Sequence, residues 1–299
     1  MKFSYLNDAF FSRLETLSLN LRSNLAGYFG GKHLVKTYGQ TVEFADFREY
    51  QLGDDIRRID WNLFSRFEKY FLRLFTDERQ MQVQVFLDCS ASMGKDNPEK
   101  GAYAIATAAA LGFLAVQNMD KLYVHFMREN ASENPFGTIV GKNAFFRAIG
   151  TFENLELGED SDIAACIASC PDTGENNGLT VIVSDFFTES NWKKAVDYLC
   201  YKKRQVLLIQ VLAPEEIDPT YDGRVHLIDS ESVDEADPKN MKFRITPGLQ
   251  KAYEMALNDM RQDMQTFCTK RGVGFISVAT NTPIERVLFG ELLKGGIMS

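Results

Sequence analysis

The sequence predicts an α/β fold: a doubly wound, mainly parallel sheet with helices on both faces. Three observations carry this. From residue 81 onward, strand patterns alternate with helical ones, which makes successive strands parallel and joins them by helical crossovers. MQVQVFLD (81–88) and LTVIVSD (179–185) become continuously apolar, as strands do when covered on both faces. Both of these strands end at an aspartate, Asp88 and Asp185.

The elements follow in order. Phe10 to Leu21 carries apolar residues at helical spacing and reads as a docking helix. KYFLRLFTDER (69–79) reads as a strand leading to the domain edge. After the strand at 81–88, a helix runs from Pro98, near its first turn, to about Asn118. LYVHFM (122–127) is the next strand, TIV (138–140) a short edge strand, and NAFFRAIGTF (143–152) a helix. Ser161 to Ser169 is helical, as is Asn191 to Tyr201 beyond the second apolar strand. QVLLIQVL (205–212) is a strand. RVHLID (224–229) and MKFRI (241–245) form an antiparallel insertion at about 222–246. A long helix from Pro247 to about Arg271 leads to the last strand, GFISVA (274–279). Right-handed crossovers wind such a sheet in both directions. The expected division is 1–80, an N-terminal segment packed on the main domain, and 81–299, that domain itself.

Composition limits the setting. The 299 residues are 45% hydrophobic and 25% charged, which is globular and soluble, and the net charge of −8 argues against nucleic acid. Residues 1–80 hold 12 basic and 11 acidic residues, against 21 and 30 in 81–299, so the acidity belongs to the main domain. Gly101 to Met119 is 19 residues without a charge. Its glycines, alanines, Thr107, Gln117 and Asn118 make it too weakly apolar for a membrane span, and a buried helix is expected. The N-terminus has no signal-peptide pattern. Five cysteines, without a CxxC pair, read as small buried thiols in a reducing cytoplasm. Cys166 and Cys170 share a helix face, but none of the three histidines lies near them in sequence to complete a metal site.

In open α/β sheets ligands bind at the carboxyl ends of the strands, where strand order reverses. If the two Asp-ending strands are neighbours, Asp88, Ser90, Ser92 and Asp185 converge there. Carboxylates and hydroxyls are hard ligands suited to Mg²⁺, Mn²⁺ or Ca²⁺. The alternative is that Ser90 and Ser92 only cap the following helix.

The stretch D-C-S-A-S at 88–92 resembles the D-x-S-x-S signature of von Willebrand factor type A domains. Upstream, Glu43, Phe44, Asp46, Arg48, Tyr50, Gly53, Asp54, Asp55, Arg57, Ile59, Asp60 and Trp61 match the hallmark of the bacterial family called domain of unknown function 58. The two matches together cover roughly residues 30 to 94. The resemblance implies a type A-like fold and a metal-ion-dependent adhesion site, in which hydroxyls bind the metal directly and carboxylates act largely through water. It places a third loop at LGEDSDI (157–163), with Ser161 where threonine is usual; Asp160 and Asp162 remain alternative ligands. Asp185 is the last carried-over position. Longer family members carry membrane segments, and this chain is expected to be a soluble short form.

The hallmark mixes acidic and basic residues with Phe, Tyr and Trp. It is expected to be a structured cover, with Arg–carboxylate pairs fixing its shape, Trp61 buried and the Gly-Asp-Asp turn exposed. The resemblance implies a metal-dependent protein-binding module, an adaptor or co-chaperone for a MoxR-type AAA+ ATPase in assembling or activating other proteins. The alternatives are a phosphatase with Asp88 as nucleophile, although Ser90 stands where such enzymes need a second Asp, or a structural module without a metal. No P-loop, G-x-S-x-G or histidine at a strand end supports other catalysis.

Overall fold

The computed structural model describes residues 6–25, 43–76, 81–95, 97–152, 155–158, 160–170, 178–188, 191–219, 224–227, 241–244 and 246–291. The chain divides into two compact units, Gly30–Gln80 and the remainder, Met1–Phe29 with Met81–Ser299. In chain order the helices are α1 (Asp8–Leu25), α2 (Trp61–Phe67), α3 (Ala91–Gly94), α4 (Pro98–Gln117), α5 (Lys142–Phe152), α6 (Ile163–Ser169), α7 (Trp192–Tyr201), α8 (Pro214–Ile217), α9 (Pro247–Thr269) and α10 (Ile284–Arg286). The strands are β1 (Glu43–Glu49), β2 (Phe71–Thr76), β3 (Gln82–Asp88), β4 (Lys121–Arg128), β5 (Ala131–Glu133), β6 (Leu179–Ser184), β7 (Gln205–Leu212), β8 (Arg224–Leu227), β9 (Met241–Arg244) and β10 (Gly274–Ala279).

The larger unit is built on a six-stranded sheet in the order β10-β7-β6-β3-β4-β5. All pairings are parallel except β4 with β5. β3 and β6 are neighbours, from Val83↔Leu179 to Leu87↔Val183. The chain moves outward on one side of β3 and returns to continue on the other, so strand order reverses between β3 and β6. One face packs Val83, Val85 and Leu87 against α1, α4 and α5. The other packs Phe86, Ile182 and Leu208 against α6, α7 and α9. The doubly wound α/β class is therefore as the sequence predicts.

α4 shows how local sequence starts an element. Asn97 accepts from the Lys100 N–H at the helix start and Pro98 occupies the first turn, where its missing N–H costs nothing. The uncharged run that follows is buried almost throughout. Among the described residues no helix is long and apolar enough to cross a membrane.

Several expectations change. The early helix groups with the larger unit and not with the hallmark segment, because Phe10, Phe11 and Leu14 are buried in its core, Phe11 against Phe113 and Phe145. The edge strand is β5, with no hydrophobic pattern to announce it. Ile139 of the expected edge strand makes only a bridge to Leu122. The antiparallel insertion forms as β8 and β9; its connection at 228–240, with residue 245, lies outside the described residues.

The smaller unit pairs β1 with β2 antiparallel. Arg48 bonds Asp54 at 2.8 Å, one of the Arg–carboxylate pairs expected there. That contact, with the Gln51 N–H, holds the Asp54 carboxyl below its ordinary value. Gly53 turns the Gly-Asp-Asp segment with φ of 105°, a left-handed value that disfavours side chains. Trp61 is not buried as expected: it is 60% exposed. It starts a helix capped by Asp60 that has no buried residue, and it meets Phe64 and Tyr70 only edge to face.

Candidate metal centre

The site lies at the carboxyl ends of β3 and β6. Asp88 ends β3 and is 2% exposed. Its Oδ1 accepts from the Ser90 backbone N–H at 2.9 Å and from the Ser161 hydroxyl at 2.7 Å. Its Oδ2 accepts from the Ser184 hydroxyl at 2.6 Å. Burial pushes the Asp88 carboxyl above its ordinary value and the charge of Asp185 adds to this, while the three hydrogen bonds oppose it.

Ser90 occupies the cap position of α3 but makes no side-chain cap bond. Its Oγ lies 3.1 Å from Ser92 Oγ. The capping alternative for these serines therefore lacks its hydrogen bond at Ser90. Ser161 sits just before α6, and its loop is anchored to the β4–β5 turn by the Glu129 N–H to the Asp160 carbonyl and the Asp162 N–H to the Glu129 carbonyl. Asp162 caps α6 through the Ala165 N–H, and Asp160 accepts from the Ser161 N–H. Of the three candidates in this loop, Ser161 is thus the one in contact with Asp88. The loop is seated by Leu157, whose side chain packs against Gly94 and Gly101 where any Cβ would collide with it.

Asp185 is also buried at this end of the sheet, but its oxygens are directed elsewhere. Oδ1 accepts from the Phe187 N–H at 2.9 Å and Oδ2 from Lys100 Nζ at 2.7 Å. Lys100 also reaches Glu216 Oε1 at 2.7 Å. The Asp185 carbonyl accepts from Gln210. Between these contacts Phe186 adopts φ of 58°, unusual for a bulky residue. It is held there by a buried ring packed on Trp192 and by its N–H donating to Ser184 Oγ.

The five expected site residues thus form two sets. Asp88, Ser90, Ser92 and Ser161 form an oxygen cluster, and Asp185 sits beside it in an ion pair. The sequence reading missed Ser184 and Lys100. Ser184 was within reach, as the residue just before Asp185. Lys100 pairs across 85 and 116 residues, a separation no local pattern reveals.

The donor chemistry suits a hard cation. Octahedral Mg²⁺ binds oxygens at about 2.1 Å, so adjacent ligand oxygens lie about 3 Å apart. The Ser90–Ser92 separation of 3.1 Å and the Ser161–Asp88 separation of 2.7 Å are of that size. Among the described residues no group of three or more His, Cys, Asp or Glu side chains could hold a metal ion, so any ion here depends on hydroxyls. Burial raises the Cys166 thiol, in α6, to about 12.

Fold and site define the class: a doubly wound α/β domain with a hydroxyl-rich oxygen cluster at the strand-order reversal. Residues 46–261 match the family described as protein of unknown function DUF58, and the chain belongs to that family. It is similar to the uncharacterized protein Rv1480 of Mycobacterium tuberculosis, 29% identical over 273 residues, 90% of this chain and 84% of that one. Among solved structures it is similar to the conserved hypothetical protein BatB from Bacteroides thetaiotaomicron, with 16% identity, a TM-score of 0.41, and coverage of 72% of this chain and 98% of that one. It is also similar to a von Willebrand factor type A protein from Catenulispora acidiphila, with 10% identity, a TM-score of 0.35, and coverage of 48% and 35% respectively.

Proposed function

We propose that this chain is a protein-binding module whose oxygen cluster takes one divalent ion, Mg²⁺ before Mn²⁺ or Ca²⁺, and that the ion holds a carboxylate of a partner protein. The observation that carries the proposal is two oxygen pairs of ligand spacing, Ser90 with Ser92 and Ser161 with Asp88, joined by the Ser90 N–H to Asp88 bond at the carboxyl end of β3. Those four residues would hold the ion, with Asp185 beside them. The ion would supply a concentrated positive charge in an acidic domain. Asp88 orients the Ser161 hydroxyl, and Ser184 orients Asp88. In this reading the chain is not an enzyme, since both Asp88 oxygens are engaged by protein donors, which disfavours attack on a phosphoryl group.

The resemblance to the family implies the partner: a MoxR-type AAA+ ATPase, with this chain in the cytoplasm as its adaptor or co-chaperone. The test is binding of the purified chain to the MoxR-type ATPase of its own source, in Mg²⁺ and in EDTA. Binding should vanish in EDTA and in Ser92→Ala. Equal binding under all these conditions would overturn the proposal.

A further inference from the structure

The side chain of Lys100 is fully buried, at 0% exposed. An ammonium out of water needs its charge matched nearby. Asp185 and Glu216 match it, both at 2.7 Å, and the Phe187 ring lies 5.5 Å away. Glu216 is held in turn, its second oxygen accepting from the Ala213 N–H at 2.7 Å. Every carboxylate oxygen of Asp88 and Asp185 therefore has a donor from the protein itself. Of the two strand-end aspartates, a divalent ion entering the cluster meets Asp88 free of an ion pair, whereas Asp185 is held by Lys100.

Resting on the metal-site reading above, we infer that Lys100 is a built-in counter-cation. It holds Asp185 away from the ion, keeps the affinity for the bare ion low, and leaves a ligand place for an acidic group of the partner. With Asp185 engaged by Lys100, Asp88 is the strand-end carboxylate left to face the ion, and an incoming carboxylate takes the ligand place that Asp185 leaves. Metal and partner carboxylate then bind cooperatively, each raising the affinity of the other by the same factor. Lys100 acts through Asp185 and is a positioning residue.

The test is Mn²⁺ titration followed by electron paramagnetic resonance, with melting curves taken alongside. Lys100→Met removes the ammonium and frees Asp185, so Mn²⁺ should bind at least tenfold tighter, and added Mn²⁺ should raise the melting temperature more than in wild type. Lys100→Met with Asp185→Asn should return the affinity toward wild type. Glu216→Gln, at a partly exposed side chain that leaves the Lys100–Asp185 pair in place, should bind Mn²⁺ no tighter than wild type. Unchanged or weaker binding by folded Lys100→Met, or tighter binding by Glu216→Gln, would overturn the inference and leave the metal site standing. Absence of Mn²⁺ binding in wild type and every variant would overturn both.

Discussion

Gly101→Ala tests how the loop bearing Ser161 is seated. In an open helix the substitution gains about 1 kcal/mol, the difference in helix propensity. At Gly101 the new Cβ would collide with Leu157 Cδ1 and lie 3.1 Å from the Met93 carbonyl oxygen and 3.4 Å from Gly94 Cα. The leucine can shift, whereas the Met93 carbonyl is backbone. Overpacking of this kind costs about 1–3 kcal/mol, so the net effect is a destabilisation of about 0–2 kcal/mol. The strain falls on the loop, because the Gly158 N–H donates to the Cys89 carbonyl at 3.1 Å and Ser161 follows three residues later. Urea unfolding at constant m measures the loss, and Mn²⁺ titration should show weaker binding. Adding Leu157→Ala removes the main obstacle, so the pair should couple favourably by about 1 kcal/mol. A Gly101→Ala variant about 1 kcal/mol more stable than wild type, or strict additivity in the double variant, would refute this account of the loop.

Asp88→Ala leaves the Ser90 N–H and the Ser161 and Ser184 hydroxyls without their acceptor, so it should cost at least about 2 kcal/mol in thermal unfolding without metal; an unchanged melting temperature would contradict the site geometry. Trp61→Ala should alter stability by only about 0.5 kcal/mol, because the ring is exposed and packed at its edges; a loss of several kcal/mol would show that it is covered. Asp120 is raised to about 6 by burial, against the hydrogen bond from the Met81 N–H. A carboxyl raised in the folded state favours folding below its unfolded value, and that advantage is lost as pH climbs through about 6. Wild type should therefore lose stability relative to Asp120→Asn between pH 4 and 7, read from paired melting curves; parallel curves would contradict this.

The sequence made much of the fold legible, for reasons visible in particular residues. β3 and β6 are buried on both faces and each leads into an aspartate, so one pattern announced both strands and their ends. Their pairing was only a condition in the sequence and is supplied by the sheet. α4 could be read from Pro98 and the uncharged run behind it. β5 could not, because Ala-Ser-Glu has no periodicity and pairs only through its backbone. Asp88, Ser90 and Ser92 were legible as a cluster because they are two residues apart, and Ser161 through the family resemblance. The partner of Asp185 was not, because an ion pair between α4 and the end of β6 is a property of tertiary packing. Trp61 was misjudged because aromatic content was taken to mean burial, whereas its short helix presents the ring to solvent.

The central claim is that the four oxygen-bearing residues at the end of β3 and in the loop before α6 hold one divalent ion. Ser92 tests it most directly: its only described side-chain hydrogen bond is the 3.1 Å contact with Ser90, so its removal disturbs the fold least. Calorimetric titration of Mn²⁺ into wild type and Ser92→Ala should show a single site in wild type and at least tenfold weaker binding in the variant, with melting temperatures unchanged. No binding by wild type, or equal binding by both proteins, would contradict the claim.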